Sequence, residues 1–566
     1  LTSQKALRLY GFRQILRLQK VGSSGKSEGN QLPPNNMTTP NLLNYCCNFC
    51  LNLISKDREQ VLDALCAQGL SSQLFRQVSQ WQSTLALCNH EKVAMYASIC
   101  KLLVHCTSST KSSIIECIPV MVWLLQDSSY CENIDKSDLV SQSIMLLSSI
   151  VAHNKESKVL FTKEAIQTIC AAIESPNEEL MSSVTTALPP LTPFLSADAC
   201  VSIVRRIGKY NVNHRMLLSS ILGCSNAATL AALECDMLSP LIHSLRETNV
   251  NLAIVPLDLP RSKKANAALN SLSLDFGLIT NFLSGSSEAK ELCASLGLAD
   301  ALHKLWAWCL LDQDLLCSLL QVLVTFTADC PSAAGSLVLT SNMIGVGQRK
   351  TPSSNSLLHA TISLLSKDTY SSEVNTRILE LLSHACQALE SRTVLVKSTI
   401  INEFLKFGRL KRCLAVDELE VPWMQFLVIF TCYNEGQSFI KNEAFFSQLM
   451  MYMANGRQVV KHFVMSIFRN ITFNHNNKQK LIVCDRWLKL LASRTLELNG
   501  SADELKNLAL IVWYLIANSQ RGKSAVRSVS LDTRMQMAAA SLPDGHPTLE
   551  IVEEVMHILK PSSRDS

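Results

Sequence analysis

Between Leu508 and Ala517 ten apolar residues follow one another, and the chain then turns polar at Asn518 with no proline or charge cluster to stop it. Ten residues are too few to cross a bilayer, which takes about 20 in a helix. A helix that is apolar all round belongs inside a larger helical assembly. Elsewhere the apolar residues fall three and four apart, as amphipathic helices require, and alternating strand-like runs are nearly absent. The chain is expected to be all-α.

The same shape recurs. Each copy has an apolar helix, a short polar break often holding Asn, and a second apolar segment. Aligning the breaks in the segments from Phe426, Ser466 and Ile511 sets Asn434, Asn474 and Asn518 in register, 40 and 44 residues apart. Glu390 lies 44 residues before Asn434, and Asp329 and Gly285 are again 44 apart. Weaker copies precede them. The gap of 61 between Asp329 and Glu390 holds the polar stretch Gly345–Ser356, read as an insertion between helices. A period of about 40 to 47 is that of armadillo and HEAT units, so the expected fold is an armadillo/HEAT-like right-handed superhelical solenoid. Asn suits the breaks because it tolerates the left-handed conformation that closes many helices. Asn434, Asn470, Asn474, Trp513 and Asn518 are the residues that define the repeat.

Proline- and glycine-rich stretches divide the chain. Residues 1–20 read as an amphipathic helix left from a preceding repeat and 21–40 as a flexible linker. Residues 41–540 read as armadillo-like repeats, with loop insertions near 255–264 and 345–356. A linker at 541–548, a capping helix at 549–560 and a disordered tail at 561–566 complete the expectation. A start at Leu1, with no convincing cap on the first repeats, suggests a piece cut from a longer solenoid.

Composition narrows the function. Hydrophobic residues make up 47% of the chain and charged ones only 17%, below the roughly 25% of an ordinary soluble domain, so much of it must be buried. With 52 Lys and Arg against 47 Asp and Glu, there is no electrostatic footprint for nucleic acid, and membrane insertion is not expected. The 21 cysteines are scattered through apolar stretches, which suits small buried hydrophobes in a reducing compartment. Sequons at Asn36, Asn470 and Asn499 are short enough to arise by chance.

Motifs for chemistry fail one by one. Gly25-Lys26-Ser27 resembles the end of a phosphate-binding loop, but the first glycine of that motif would fall at Lys20. Cys47 and Cys50 form one CxxC without a second ligand pair. Cys46, Cys50, Leu53 and Ile54 share a helix face, which favours a core stripe. In "NHEKVA" the second histidine of a metalloprotease helix would fall at Ala94. His384, His462 and His475 lack a ligand at metal spacing and read as surface or satisfied core histidines. No nucleophile elbow or acid–base carboxylate pair appears. No enzyme, cofactor, metal or small-molecule substrate is expected. Basic clusters at Arg261, Lys263 and Lys264 and at Arg349 and Lys350 lie in inferred loops, as solvated positions or as a docking patch for an acidic partner. Trp306 and Trp308 flank Ala307 on a helix, where only one is expected to face the core fully. The other packs on the adjoining repeat or anchors an interface. Armadillo proteins that grip extended peptides carry a Trp with an Asn four residues later on successive third helices. Here Ser466 stands four before Asn470 and Ala517 four after Trp513, so that ladder is missing.

The last hundred or so residues carry a resemblance. Phe468, Arg469, Asn470 and Ile471, then Asn477 and Lys478, then Trp513, Asn518, Gln520, Lys523, Ala525, Val526 and Ser528 are similar to the C-terminal end of the rotatin family, very long armadillo-like proteins. The resemblance implies a non-enzymatic scaffold in the cytoskeleton, at centrosomal centrioles and ciliary basal bodies, with centriolar proteins as partners. It implies roles in centriole assembly and maturation, in cilium formation and in left–right asymmetry. A different armadillo or HEAT adaptor, such as a transport receptor or a regulatory subunit of an enzyme complex, is the alternative.

Overall fold

The computed structural model describes residues 39–55, 61–63, 65, 70–78, 90–106, 134–153, 185–253, 263–340, 351–352, 355–365, 370–398, 417–498 and 501–560. The expected helix at 1–20, the linker up to residue 38 and the tail at 561–566 lie outside them. The described chain is helical apart from turns and one strand pair, β1 (Leu339–Thr340) antiparallel to β2 (Thr351–Pro352), with Leu339 opposite Pro352. None of the described helices is long and apolar enough to cross a membrane. The chain forms two compact units, Leu1–Leu241 and Ile242–Ser566.

In the first unit α1 (Thr39–Ile54) and α4 (Ile134–His153) pack on α3 (His90–Cys106), as does α2 (Leu70–Val78). A 3-10 turn, Pro189–Phe194, leads to α5 (Ala197–Ile207), α6 (Arg215–Cys224) and α7 (Asn226–Glu234). Burial on α1 follows Leu43, Cys47, Cys50 and Ile54, with Cys46 and Leu53 only half-buried. The expected stripe is thus rotated toward Cys47. Burial pushes the Cys50 and Cys100 thiols up to about 12, so neither is poised to ionise.

The unit boundary falls within α8 (Leu238–Ala253). The second unit then sorts its helices into three columns. Long helices form the first: α9 (Lys263–Gly285), α12 (Gln313–Thr327), α15 (Ser372–Ala385), α17 (Asp417–Thr431), α20 (Gln458–Thr472), α23 (Ala502–Ile516) and α26 (Pro547–Leu559), each packed on the next. Short helices that follow them form the second: α10 (Ser287–Leu296), α13 (Pro331–Ser336), α16 (Leu389–Lys397), α18 (Asn434–Gln437), α21 (His475–Val483) and α24 (Gln520–Ser528). In the third, α11 (Leu298–Cys309) packs on α14 (Leu357–Leu364), and α22 (Asp485–Thr495) lies between α19 (Glu443–Asn455) and α25 (Leu531–Ala539). This is an all-α solenoid.

The ten-residue apolar run is now explained. It lies in α23, between α20 and α26, so two sides of the helix are covered. Leu508, Ala509, Ile511, Val512, Leu515 and Ile516 are all fully buried, each large aliphatic side chain contributing about 1.5–3 kcal/mol. The same geometry decides between the two readings of the tryptophan pair in favour of packing on the adjoining repeat. Trp306 and Trp308 are both buried, because α11 has α10, α12 and α14 around it and one core-facing side is not its only cover.

The breaks are built alike. The second-column helices start from Ser286, Cys330, Ala388, Tyr433, Asn474 and Ser519, within two residues of the breaks aligned by sequence, and Ser286, Asn474 and Ser519 accept a capping hydrogen bond there. Asn518 takes φ 52°, the left-handed turn expected of it, as does Asp329 at the equivalent place. Asn474 differs. It has φ −80° and its side chain accepts from the Asn476 N–H, so it starts α21 instead of closing α20. The third residue of each second-column helix is small or compact and buried: Ala289, Ala333, Ser391, Gly436, Asn477 and Gly522. At Gly436, Asn477 and Gly522 the short helix crosses the end of the preceding long one, whereas the Ser391 hydroxyl donates to the Ala334 carbonyl of α13 at 2.8 Å. A Cβ on Gly436 would meet the Phe430 carbonyl oxygen at 2.1 Å, and one on Gly522 the Leu515 oxygen at 2.1 Å. At the same place Asn477 donates to the Ile471 carbonyl at 3.0 Å.

Candidate protein-interaction surface

The residues singled out in the sequence fall in different places. Arg261, Arg349 and Lys350 lie outside the described residues. Lys263 and Lys264 open α9, and Asn434 is exposed at the start of α18. Asn470 is buried and Trp513 is exposed on the next long helix, with no hydrogen bond between them given by the structure. His384 is satisfied by the Val324 carbonyl at 3.1 Å.

The outward side of the long-helix column carries the most distinctive surface, across α17, α20 and α23. Asn470 is its keystone. Its Nδ2 donates to the Val428 carbonyl at 3.0 Å, with the Thr431 hydroxyl and Cys432 sulfur each at 3.3 Å. Its Oδ1 accepts from Nε and Nη2 of Arg469 at 3.2 and 2.9 Å. Arg469 Nη1 donates in turn to Asn507 Oδ1 at 2.9 Å, and Asn507 Nδ2 to the Ser466 hydroxyl at 3.3 Å. A band of amides and one guanidinium therefore ties three helices together. Sequence inspection sought a Trp–Asn spacing within one helix and so missed this band, whose members come from neighbouring helices.

Aromatic groups border the band. Phe473 and Trp513 are about two-fifths exposed, and Phe473 meets Tyr514 edge to face at 5.8 Å. Lys478 reaches under them, with Nζ 5.3 Å from the Tyr514 ring centre and 2.6 Å from the Ala517 carbonyl oxygen. Lys290 does the same at the earlier break, 2.7 Å from the Ala328 oxygen, and the Arg527 guanidinium donates to the Leu559 carbonyl. Each places a positive charge at the negative end of a long helix in the following layer.

At the other end of these helices sits an ion pair. Glu504 accepts from Arg494 Nε at 3.1 Å and Nη2 at 2.7 Å, with both side chains almost wholly buried. Gln458 Nε2 lies 3.3 Å from Glu504 Oε1, which links α20 to the pair. A hydrogen bond from Lys461 holds the Glu497 carboxyl below its ordinary range. Among the described residues no group of His, Cys, Asp and Glu is arranged to hold a metal ion. The chemistry on offer is recognition: fixed hydrogen-bonding groups, exposed rings and localised charge.

No protein-family model matches the chain. Rotatin from Homo sapiens is 26% identical over 345 residues, 59% of this chain, and Rotatin from Mus musculus is 26% identical over 332 residues, 57% of this chain. In each case the match covers 15% of the relative's length. The chain is rotatin-related over that stretch. A solved structure from work on a conserved phosphorylation switch controlling the interaction between cadherin and beta-catenin aligns with a TM-score of 0.52 at 12% identity. It covers 89% of this chain and 98% of that one, a likeness of fold in an armadillo-like solenoid.

Proposed function

We propose that this chain serves as part of a non-catalytic scaffold of the rotatin kind. In this reading it acts at centrioles and ciliary basal bodies, in centriole assembly and maturation, in cilium formation and thereby in left–right axis formation. It works by holding partner proteins. The relatedness to rotatin supports the cellular setting. The single structural observation that carries the mechanism is the outward face of α17, α20 and α23, where rings stay exposed around a rigid polar band. Stacked repeats suit that task because each contacts only its neighbours, so a long surface presents separate contact points at regular intervals.

The test is where the chain goes and what it meets there. A tagged full-length chain is expected at centrioles and basal bodies, with proximity labelling enriched for centriolar proteins. A diffuse or nuclear-rim signal accompanied by cargo capture would replace this reading with that of a transport or regulatory adaptor.

A further inference from the structure

Arg469 has an unusual setting for a cation. A guanidinium carries five N–H donors in a fixed plane and no acceptor. Three bonds are used here, and all three end on neutral amide oxygens, Asn470 Oδ1 twice and Asn507 Oδ1 once. No carboxylate among the described residues forms an ion pair with it. One N–H on each Nη remains, on a group whose plane is already set. An arginine held in this way binds a carboxylate with little further ordering.

The surroundings match an anion joined to an apolar side chain. Residues 444–484 contain no Asp or Glu and five Lys or Arg, and residues 505–531 contain none and four. The carboxylates of the stretch between these two are Asp485, Glu497, Asp503 and Glu504. Phe473 and Trp513 are 41% and 39% exposed, and Ile429 on α17 is 37% exposed. Several other cations of the region are committed to main-chain carbonyls: Lys478 to Ala517, Lys480 to Ile440 and Arg527 to Leu559. Arg469 is an organised positive group beside exposed rings, unlike a row of free lysines of the sort that tracks a phosphate backbone.

We propose that the strip of Arg469, Phe473, Trp513 and Tyr514 docks an acidic segment of a partner protein, with a carboxylate on Arg469 and an apolar side chain against Trp513 and Phe473. The proposal rests on the scaffold reading for its class of partner and names the chemistry of the contact. It places the acid-binding surface on the long helices and not in the basic loop clusters noted in the sequence.

The experiment uses the full chain and a fluorescein-labelled peptide rich in Asp and Glu with Leu and Phe interspersed. The same peptide with Asn and Gln in place of its acids, and a single-stranded RNA, serve as comparison probes. Fluorescence anisotropy should show binding of the acidic peptide that weakens with salt and is at least about tenfold weaker in Arg469→Gln, a loss equivalent to about 1.4 kcal/mol. Because Arg469 also braces Asn470 and Asn507, Trp513→Ala is the second variant. It removes an exposed ring and should weaken binding while the thermal midpoint holds. Leu496→Ala, at a residue 62% exposed just past the end of α22, should bind as the parent does. The proposal is overturned if the parent ignores the acidic peptide, binds the amide peptide or RNA as well, or loses no affinity in Trp513→Ala. Centriolar localisation of the tagged chain separates the two ideas: a tag at centrioles with no peptide binding sinks the docking strip alone, and binding without that localisation sinks the scaffold alone.

Discussion

Asn470 spells a glycosylation acceptor with Thr472, yet it is 4% exposed and Thr472 is fully buried, so the folded chain cannot offer that sequon to an enzyme. Its amide instead joins α17 to α20. Replacing it by Ala would take two bonds from the Arg469 guanidinium and one from the Val428 carbonyl, which keeps the Thr431 hydroxyl at 3.1 Å, and about 1–3 kcal/mol of stability should be lost in urea unfolding. Glu504 is more demanding. With Arg494 it forms a buried pair, and Glu504→Ala should cost about 3 kcal/mol, at the lower end for a broken buried pair because Arg494 keeps its bond to Glu497 at 3.0 Å. Glu497→Ala should cost under about 1 kcal/mol, since that carboxylate is half exposed and screened. The sign with pH follows from the shift. The folded carboxyl of Glu497 ionises more readily than the unfolded one, so its contribution is present above the unfolded value and fades as pH falls through the folded one. Lys461→Met should therefore flatten the acid limb of a stability–pH curve. None of this could be read from sequence. Asn470 reads as a marker of the repeat, but its partner Val428 lies 42 positions away, and Asn507, the partner of Arg469, lies 38 from that arginine.

At the scale of the element, the apolar period disclosed the long helices and placed the breaks to within two residues, because an unbroken greasy stretch of helical length has few alternatives. Asn518 was legible as a left-handed residue for the same reason. The small third residue of each second-column helix was not legible. Gly, Ala, Ser and Asn share compactness there and no chemistry, so no motif announces the position. The prediction is direct. Gly522→Ala and Gly436→Ala would each drive a methyl into a main-chain oxygen of the preceding long helix, and each should lower stability by about 1–3 kcal/mol. Gly545→Ala, where a Cβ meets nothing within 4 Å, tests the left-handed backbone alone and should cost less. Thermal unfolding of the three variants checks the order. Lys478→Met should cost about 1 kcal/mol through loss of its bond to the Ala517 carbonyl.

For the whole molecule, stability in a stacked array is a sum of nearest-neighbour terms. Removing α26 would expose the partners of Val552, Val555 and Leu559, all buried in the intact chain. A chain ending at Leu542 should then bind a hydrophobic dye and lose amide-exchange protection in α23 before α20 and α17. The fold class was legible because period and burial act over the entire length. The interaction surface was less so. Single helices announce their own spacing, whereas the docking strip exists only after α17, α20 and α23 are laid side by side.

The ties from Lys290, Lys478 and Arg527 run one way. Each cation belongs to an earlier layer, and each oxygen to a later one. The receiving partner is main chain, so any residue can occupy that spot without breaking the clasp. As the polypeptide emerges from the ribosome, every such hook is made before its eye. A half-finished array thus waits with its fastener already in place for the next storey to arrive.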